Sequence, residues 1–126
     1  MPDSNRIIIA EDNDLLATML TRLILRRCPN AMVHVFTNGC EAFADYLAAG
    51  AHLLFCNHAM PGIDGPTLIR LVRARGDSVP MIGMSGDSST HDDYLAAGAN
   101  AFYGGSDLIE QLPAILQRYL SPAPGV

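Results

Sequence analysis

The sequence predicts an α/β domain, a five-stranded parallel sheet with helices on both faces. Three observations predict it. Five short apolar runs alternate with five stretches of helical periodicity along the 126 residues. The first run, RIIIA, lacks the in–out alternation of a half-exposed strand and suits one buried on both faces. Seven residues, DYLAAGA at 45–51, recur at 93–99, an offset of 48 residues. Two copies are too few for a stacked array. They mark one local solution used twice, a helix end, a glycine beyond it and the start of a strand.

Each element has its own signal. Arg6–Ala10 is the first strand. Leu15, Leu16, Met19, Leu20, Leu23 and Ile24 then fall on one helical stripe, with Asn13 as N-cap and Pro29 as stop. Residues 31–37 (AMVHVFT) form the second strand, followed by an Asn38–Gly39 turn. Residues 41–49 are helical and end before Gly50. Residues 52–56 (HLLFC) are the third strand, and 68–75 the third helix, closed by Gly76. Residues 79–84 (VPMIGM) are the fourth strand, 92–97 a fourth helix and 100–103 a short fifth strand. The last helix covers 107–120, where Pro113 removes a backbone donor and predicts a kink or a late start. One domain over 1–120 and a flexible tail over 121–126 (SPAPGV) are expected.

Composition narrows the class. A chain of this length supports one sizeable core, and no apolar run is long enough to cross a bilayer. The N-terminus lacks a signal-peptide pattern. Cys28, Cys40 and Cys56 are odd in number and widely spaced, which fits reduced thiols in a cytoplasmic protein rather than a disulfide frame or zinc site. A net charge of −5 argues against non-specific nucleic-acid binding. All eight basic residues are arginine; there is no lysine.

Parallel sheets carry their chemistry at the carboxyl ends of the strands. Glu11, Asp12, Asn13 and Asp14 follow the first strand, and the third runs into Asn57, His58, Ala59, Met60 and Pro61. The fourth ends in Ser85–Gly86–Asp87 and the fifth in Gly104–Gly105–Ser106. Adjacent carboxylates at a strand end suit a hard divalent cation. Asp12 and Asp14 equally suit the dipole of the helix they precede, and both readings stand at this point. Asp64, before Gly65–Pro66, reads as a helix cap. His34 and His52 lie in apolar strands and are given no role.

The series IIIAEDN, MPGIDG, PMIGMSG and AAGANAF, in this order and spacing, resembles the bacterial response regulator receiver domain over roughly residues 6–120. The resemblance implies a flavodoxin-like, doubly wound (βα)5 fold with strand order 2-1-3-4-5. It also implies a phosphoryl group taken from a sensor kinase onto an aspartate with magnesium bound. The surface of the fourth helix, fifth strand and fifth helix then changes. On this resemblance Glu11 and Asp12 match the metal-holding acidic pair, and the Ala59 backbone carbonyl a further metal ligand. Ser85 matches the phosphoryl-binding hydroxyl and Phe102 the aromatic switch.

Two positions depart from the pattern. The phosphoacceptor position, four residues before Pro61, holds Asn57, and the active-site lysine position holds Gly105, followed by Ser106. An amide offers no nucleophile comparable to a carboxylate, and the lost lysine would have neutralised developing phosphoryl charge. One negative and one positive charge are lost together, so the pocket's net charge is unchanged, as natural degeneration of a receiver would leave it. No cofactor is expected, and any Mg2+ site would be weak. The expected function is a phosphorylation-independent protein-interaction module with no catalytic activity of its own. Its partner, a sensor kinase or an output protein, would meet the face carrying His91, Tyr94, Leu95, Phe102, Tyr103, Leu112 and Tyr119, at least half of whose apolar residues are expected to be ordinary core, and a homodimer through that face is a corollary. No nucleic acid or membrane is expected as partner. The competing expectation is phosphorelay through a substitute acceptor, His58, Asp12 or Asp64. Alternation at a strand end aims His58 away from the acidic pair. A flavin-binding enzyme on the same fold is disfavoured, because EDND would repel a phosphate.

Overall fold

The computed structural model describes residues 5–120; the expected tail at 121–126 lies outside them. The elements run β1 (Arg6–Ala10), α1 (Asp14–Arg27), β2 (Met32–Phe36), α2 (Gly39–Ala49), β3 (Leu53–Asn57), α3 (Gly65–Ala74), β4 (Met81–Met84), a 3-10 turn (Ser88–Thr90), α4 (His91–Ala97), β5 (Ala101–Tyr103) and α5 (Gly105–Tyr119). All four strand pairings are parallel, in the order β2-β1-β3-β4-β5. The chain leaves β1 for one edge and returns on its other side at β3, so the switch point lies between these two strands. Their register pairs Ala10 with Cys56. The next residues, Glu11 and Asn57, therefore leave the sheet side by side.

Alternate residues of the central strands feed two cores. Ile7, Ile9, Leu53, Phe55, Ile82 and Met84 pack with α1 and α5. Ile8, Ala10, Leu54, Cys56 and Met81 pack with α2, α3 and α4. Both faces are covered, which is why these runs carry no polar alternation. At the strand starts, the Arg6 guanidinium donates to Gly50 O and His34 Nε2 and pairs with Asp45, while its backbone N–H donates to His52 Nδ1. His34 in β2 and His52 just before β3 are thus structural acceptors.

Several boundaries move, each for a local reason. Asn13 caps α1 as expected, its Oδ1 accepting from Leu16 N at 3.1 Å. The buried stripe is narrower than the apolar one: Leu20 and Ile24 are enclosed, but Leu15 is 72% and Met19 40% exposed. Asn38 is a helix cap rather than part of a turn, because its Oδ1 accepts from Cys40 N and Glu41 N and starts α2 at Gly39. A side chain at Gly39 would meet the Ile63 carbonyl oxygen at 2.2 Å, so the first helical position needs glycine. Asp64 caps α3, accepting from Thr67 N at 2.8 Å, and brings its start forward to Gly65 with Pro66 in the first turn. The expected late start at Pro113 does not occur. α5 begins at Gly105 and runs through the proline, held to the core by Leu108, Leu112, Ile115 and Leu116.

Away from the strand ends, the Tyr46 hydroxyl donates to Asp77 Oδ2 at 2.7 Å. Burial, reinforced by that bond, pushes the phenol up to about 12. A phenol raised above its ordinary value of about 10 contributes stability that is complete below that pH. This contribution is lost as pH rises through about 12. Tyr46→Phe is therefore expected to flatten the alkaline fall in stability, read from urea midpoints at stepped pH. A variant that tracks wild type along that limb would show that the bond contributes nothing.

Candidate functional site

The carboxyl ends of β1, β3 and β4 enclose an open cleft of about 470 Å³, lined by Glu11, Asp12, Asn13, Leu16, Asn57 and Gly86. Glu11 is only 2% exposed. Its Oε2 accepts from Asn13 N at 3.0 Å and from Asn57 Nδ2 at 3.1 Å. The same Asn57 nitrogen lies 3.5 Å from Asp12 Oδ1, at the limit of a hydrogen bond. The side-chain amide thus sits between the two carboxylates as a shared donor. Burial, with Asp12 adding to it, pushes the Glu11 carboxyl above the ordinary carboxylate range. A donor at that oxygen is what a buried carboxylate needs.

This arrangement does not fit a divalent ion as it stands. Two carboxylates are the right kind of ligand, but Asn57 turns hydrogens toward them where a metal ligand must present a lone pair. Turning the amide would offer Oδ1 and would break its bonds to both acids. Ala59 is exposed in the loop after β3 and is not among the residues lining the cleft.

The other matched positions are less close-knit. Ser85 Oγ accepts from Asp87 N at 3.0 Å, and Asp87 in turn caps the 3-10 turn through Ser89 N. Gly105 is exposed at the start of α5, and a Cβ there would meet nothing within 4 Å. Neither packing nor a positive φ demands glycine at that position. His58 lies just past the end of β3, with its side chain toward α4. Its ring lies edge-on to Tyr94, with centroids 6.0 Å apart. Asp64 is engaged as the α3 cap. Burial opposes its ionisation, but the Thr67 hydrogen bonds, with His58 and Arg70 nearby, outweigh this and hold its carboxyl below the ordinary range.

The expected interaction face divides. Tyr94 is fully buried and Leu112 is 2% exposed, so both belong to the core and leave the surface list. His91 and Leu95 are exposed, and Phe102, Tyr103 and Tyr119 are half-buried. Phe102 is held between two α4 rings, 5.5 Å from His91 and 5.3 Å from Tyr94. Sequence reasoning missed how Tyr94 packs. The available signal was Gly83 inside an otherwise apolar strand, a mark of close approach.

The family model for the response regulator receiver domain matches residues 7–103. Sensory transduction protein RegX3 of Mycobacterium tuberculosis is 31% identical over 118 residues, covering 89% of this chain and 51% of RegX3. Transcription factor SKN7 of Saccharomyces cerevisiae is 28% identical over 116 residues, 90% of this chain and 18% of that protein. The chain thus spans about half the length of RegX3 and less of SKN7. The BeF3-activated N-terminal receiver domain of Klebsiella pneumoniae RstA superposes with a TM-score of 0.82, covering 94% of this chain and 100% of that one, at 22% identity. At that identity the likeness is one of fold.

Proposed function

From the premise that this chain belongs to the response regulator receiver domain family, we propose that it is a phosphorylation-independent receiver acting as a protein-interaction module. The observation that carries this reading is the Asn57 amide donating to Glu11 at 3.1 Å and lying 3.5 Å from Asp12. The residue at the phosphoacceptor position serves as an internal partner for the acidic pair and supplies no attacking oxygen anion. Charge supports the same reading. The cleft holds two carboxylates and no cation among its lining residues. An incoming phosphoryl group would meet repulsion with no counter-charge to offset it. With no lysine anywhere in the chain, none can be recruited from another element.

The module needs no cofactor and no catalytic turnover in this reading. The partner is a protein, a kinase or an output domain, met through the exposed parts of α4, β5 and α5, in the cytoplasm. A homodimer through that face is compatible with it. No nucleic-acid or membrane contact is invoked; among the described residues no helix is long and apolar enough to cross a bilayer.

The test is direct. The purified protein, incubated with acetyl phosphate and excess Mg2+, is expected to keep its unmodified intact mass under conditions that label an ordinary receiver. A stable phosphoryl adduct would sink the reading. Its position, at His58, Asp12 or Asp64, would show which residue replaced the acceptor.

A further inference from the structure

On the sheet face shared with α2 and α3, α4 is attached through few side chains. It has only seven residues, and its buried side chains are Tyr94 and Ala97. A helix this short has no stability of its own and takes its place from tertiary contacts. Tyr94 is the larger of the helix's two buried side chains. Its ring lies against β4, where a Cβ on Gly83 would come within 2.3 Å of the ring carbon Cδ1. Its hydroxyl lies against the start of α3, where a Cβ on Gly65 would come within 2.5 Å of the oxygen. Two glycines from two elements thus leave the room that one tyrosine fills.

The hydroxyl then reaches the ends of two strands. It donates its single proton to Cys56 O at 3.0 Å, with Met84 O at 3.3 Å as the second acceptor. Cys56 directly precedes Asn57, and Met84 directly precedes Ser85. Burial drives the phenol far above its ordinary range, so the proton stays in place. On its outer side the ring packs on Phe102, whose other neighbour on α4 is His91. Phe102, at the position matched to the aromatic switch, thus rests directly against the Tyr94 ring.

We infer that Tyr94 is a latch that pins α4 to the carboxyl ends of β3 and β4 and holds the α4–β5–α5 face in one arrangement, whatever occupies the cleft at position 57. The inference rests on the proposed function only in taking that face as the one a partner meets. It accounts for how a receiver could present a constant surface without a phosphoryl signal: the helix that would move is fastened from inside.

Hydrogen exchange read peptide by peptide tests the latch. Tyr94→Phe keeps the ring and removes only the hydroxyl, so the domain is expected to fold. Its α4 amides are expected to exchange about tenfold faster, the effect of losing one buried hydrogen bond, while α1 amides keep their wild-type rates. Gly83→Ala, which pushes the ring from the β4 side, is expected to give the same pattern. Unchanged α4 exchange in Tyr94→Phe would overturn the latch. Equal acceleration in α1 and α4 would also overturn it, by showing a global loss of stability in place of a local release. A phosphoryl adduct on the wild-type protein sinks the proposed function yet leaves the exchange pattern as it is, so the two failures are distinguishable.

Discussion

Asn57→Asp is expected to lower stability by about 2 kcal/mol in the absence of divalent ions, with a fall in Tm of roughly 8 °C. The substitution removes the donor that Glu11 and Asp12 share and puts a third carboxylate beside them. One of those acids is almost fully buried, so the repulsion is poorly screened. Three carboxylates would then form the hard-oxygen site that the amide now forestalls. Mg2+ at about ten times its dissociation constant should restore roughly 1.4 kcal/mol, and the wild-type Tm should not respond to Mg2+. Thermal melts of both proteins with and without the ion check this. The same variant is expected to acquire a phosphoryl adduct from acetyl phosphate, more of it when Gly105→Lys is added, since nothing stands within 4 Å of a side chain there. A variant as stable as wild type in EDTA would show that the amide bonds to the acidic pair are energetically idle.

Arg73→Ala is expected to cost about 3 kcal/mol, the second large effect. Arg73 stands on α3, and its Nε donates to Gly98 O at 3.0 Å. Its Nη1 donates to Asp77 O at 3.0 Å and Val79 O at 2.8 Å. Its Nη2 donates to Asn100 Oδ1 at 2.8 Å, an oxygen that also accepts from Met81 N. One planar group thus ties the approach to β4 to the connection between α4 and β5. Truncation strands three part-buried carbonyl acceptors, since Asn100 Oδ1 keeps its bond from Met81 N, and each orphan costs about 1 kcal/mol or more. Arg73→Lys should recover less than half of the loss, because an ammonium cannot serve acceptors arranged around a flat fork. Urea unfolding of the two variants measures both numbers. An alanine variant within about 0.5 kcal/mol of wild type, the range of an ordinary surface change, would show that water replaces the guanidinium at no cost.

Much of this protein was legible from local chemistry. The runs of β1, β3 and β4 are apolar on both faces because both faces are buried, so Ile7, Ile8 and Ile9 announce a central parallel strand without any tertiary information. Asn13 and Asp64 announce caps because the hydrogen bonds they make reach only three residues along the chain. The cleft was legible for a similar reason: in a parallel sheet, strand ends that share a register bring Glu11 and Asn57 together. The identity of the residue at 57, an amide where the family resemblance calls for a carboxylate, was visible in the sequence.

Other features depended on neighbours far away in the chain. An apolar stripe states which residues are suited to burial, but the area of sheet available to α1 decided that Leu20 is covered and Leu15 is not. Pro113 argues locally for a break, and the burial of Leu108, Leu112, Ile115 and Leu116 kept α5 continuous around it. Which apolar residues of the α4–β5–α5 face are core was open in the sequence, and Tyr94 is assigned to the core only when Gly65 and Gly83 are placed against it, from elements 29 and 11 residues earlier. By itself the sequence determined the alternation of elements, the caps, and two acids at one strand end with an amide at position 57, because these follow from periodicity, short-range hydrogen bonds and residue chemistry. Only the tertiary structure decided that the Asn57 amide is turned onto the acidic pair and that Tyr94 fastens α4 from within, because both depend on distances between strand ends and on room left by side chains that are absent.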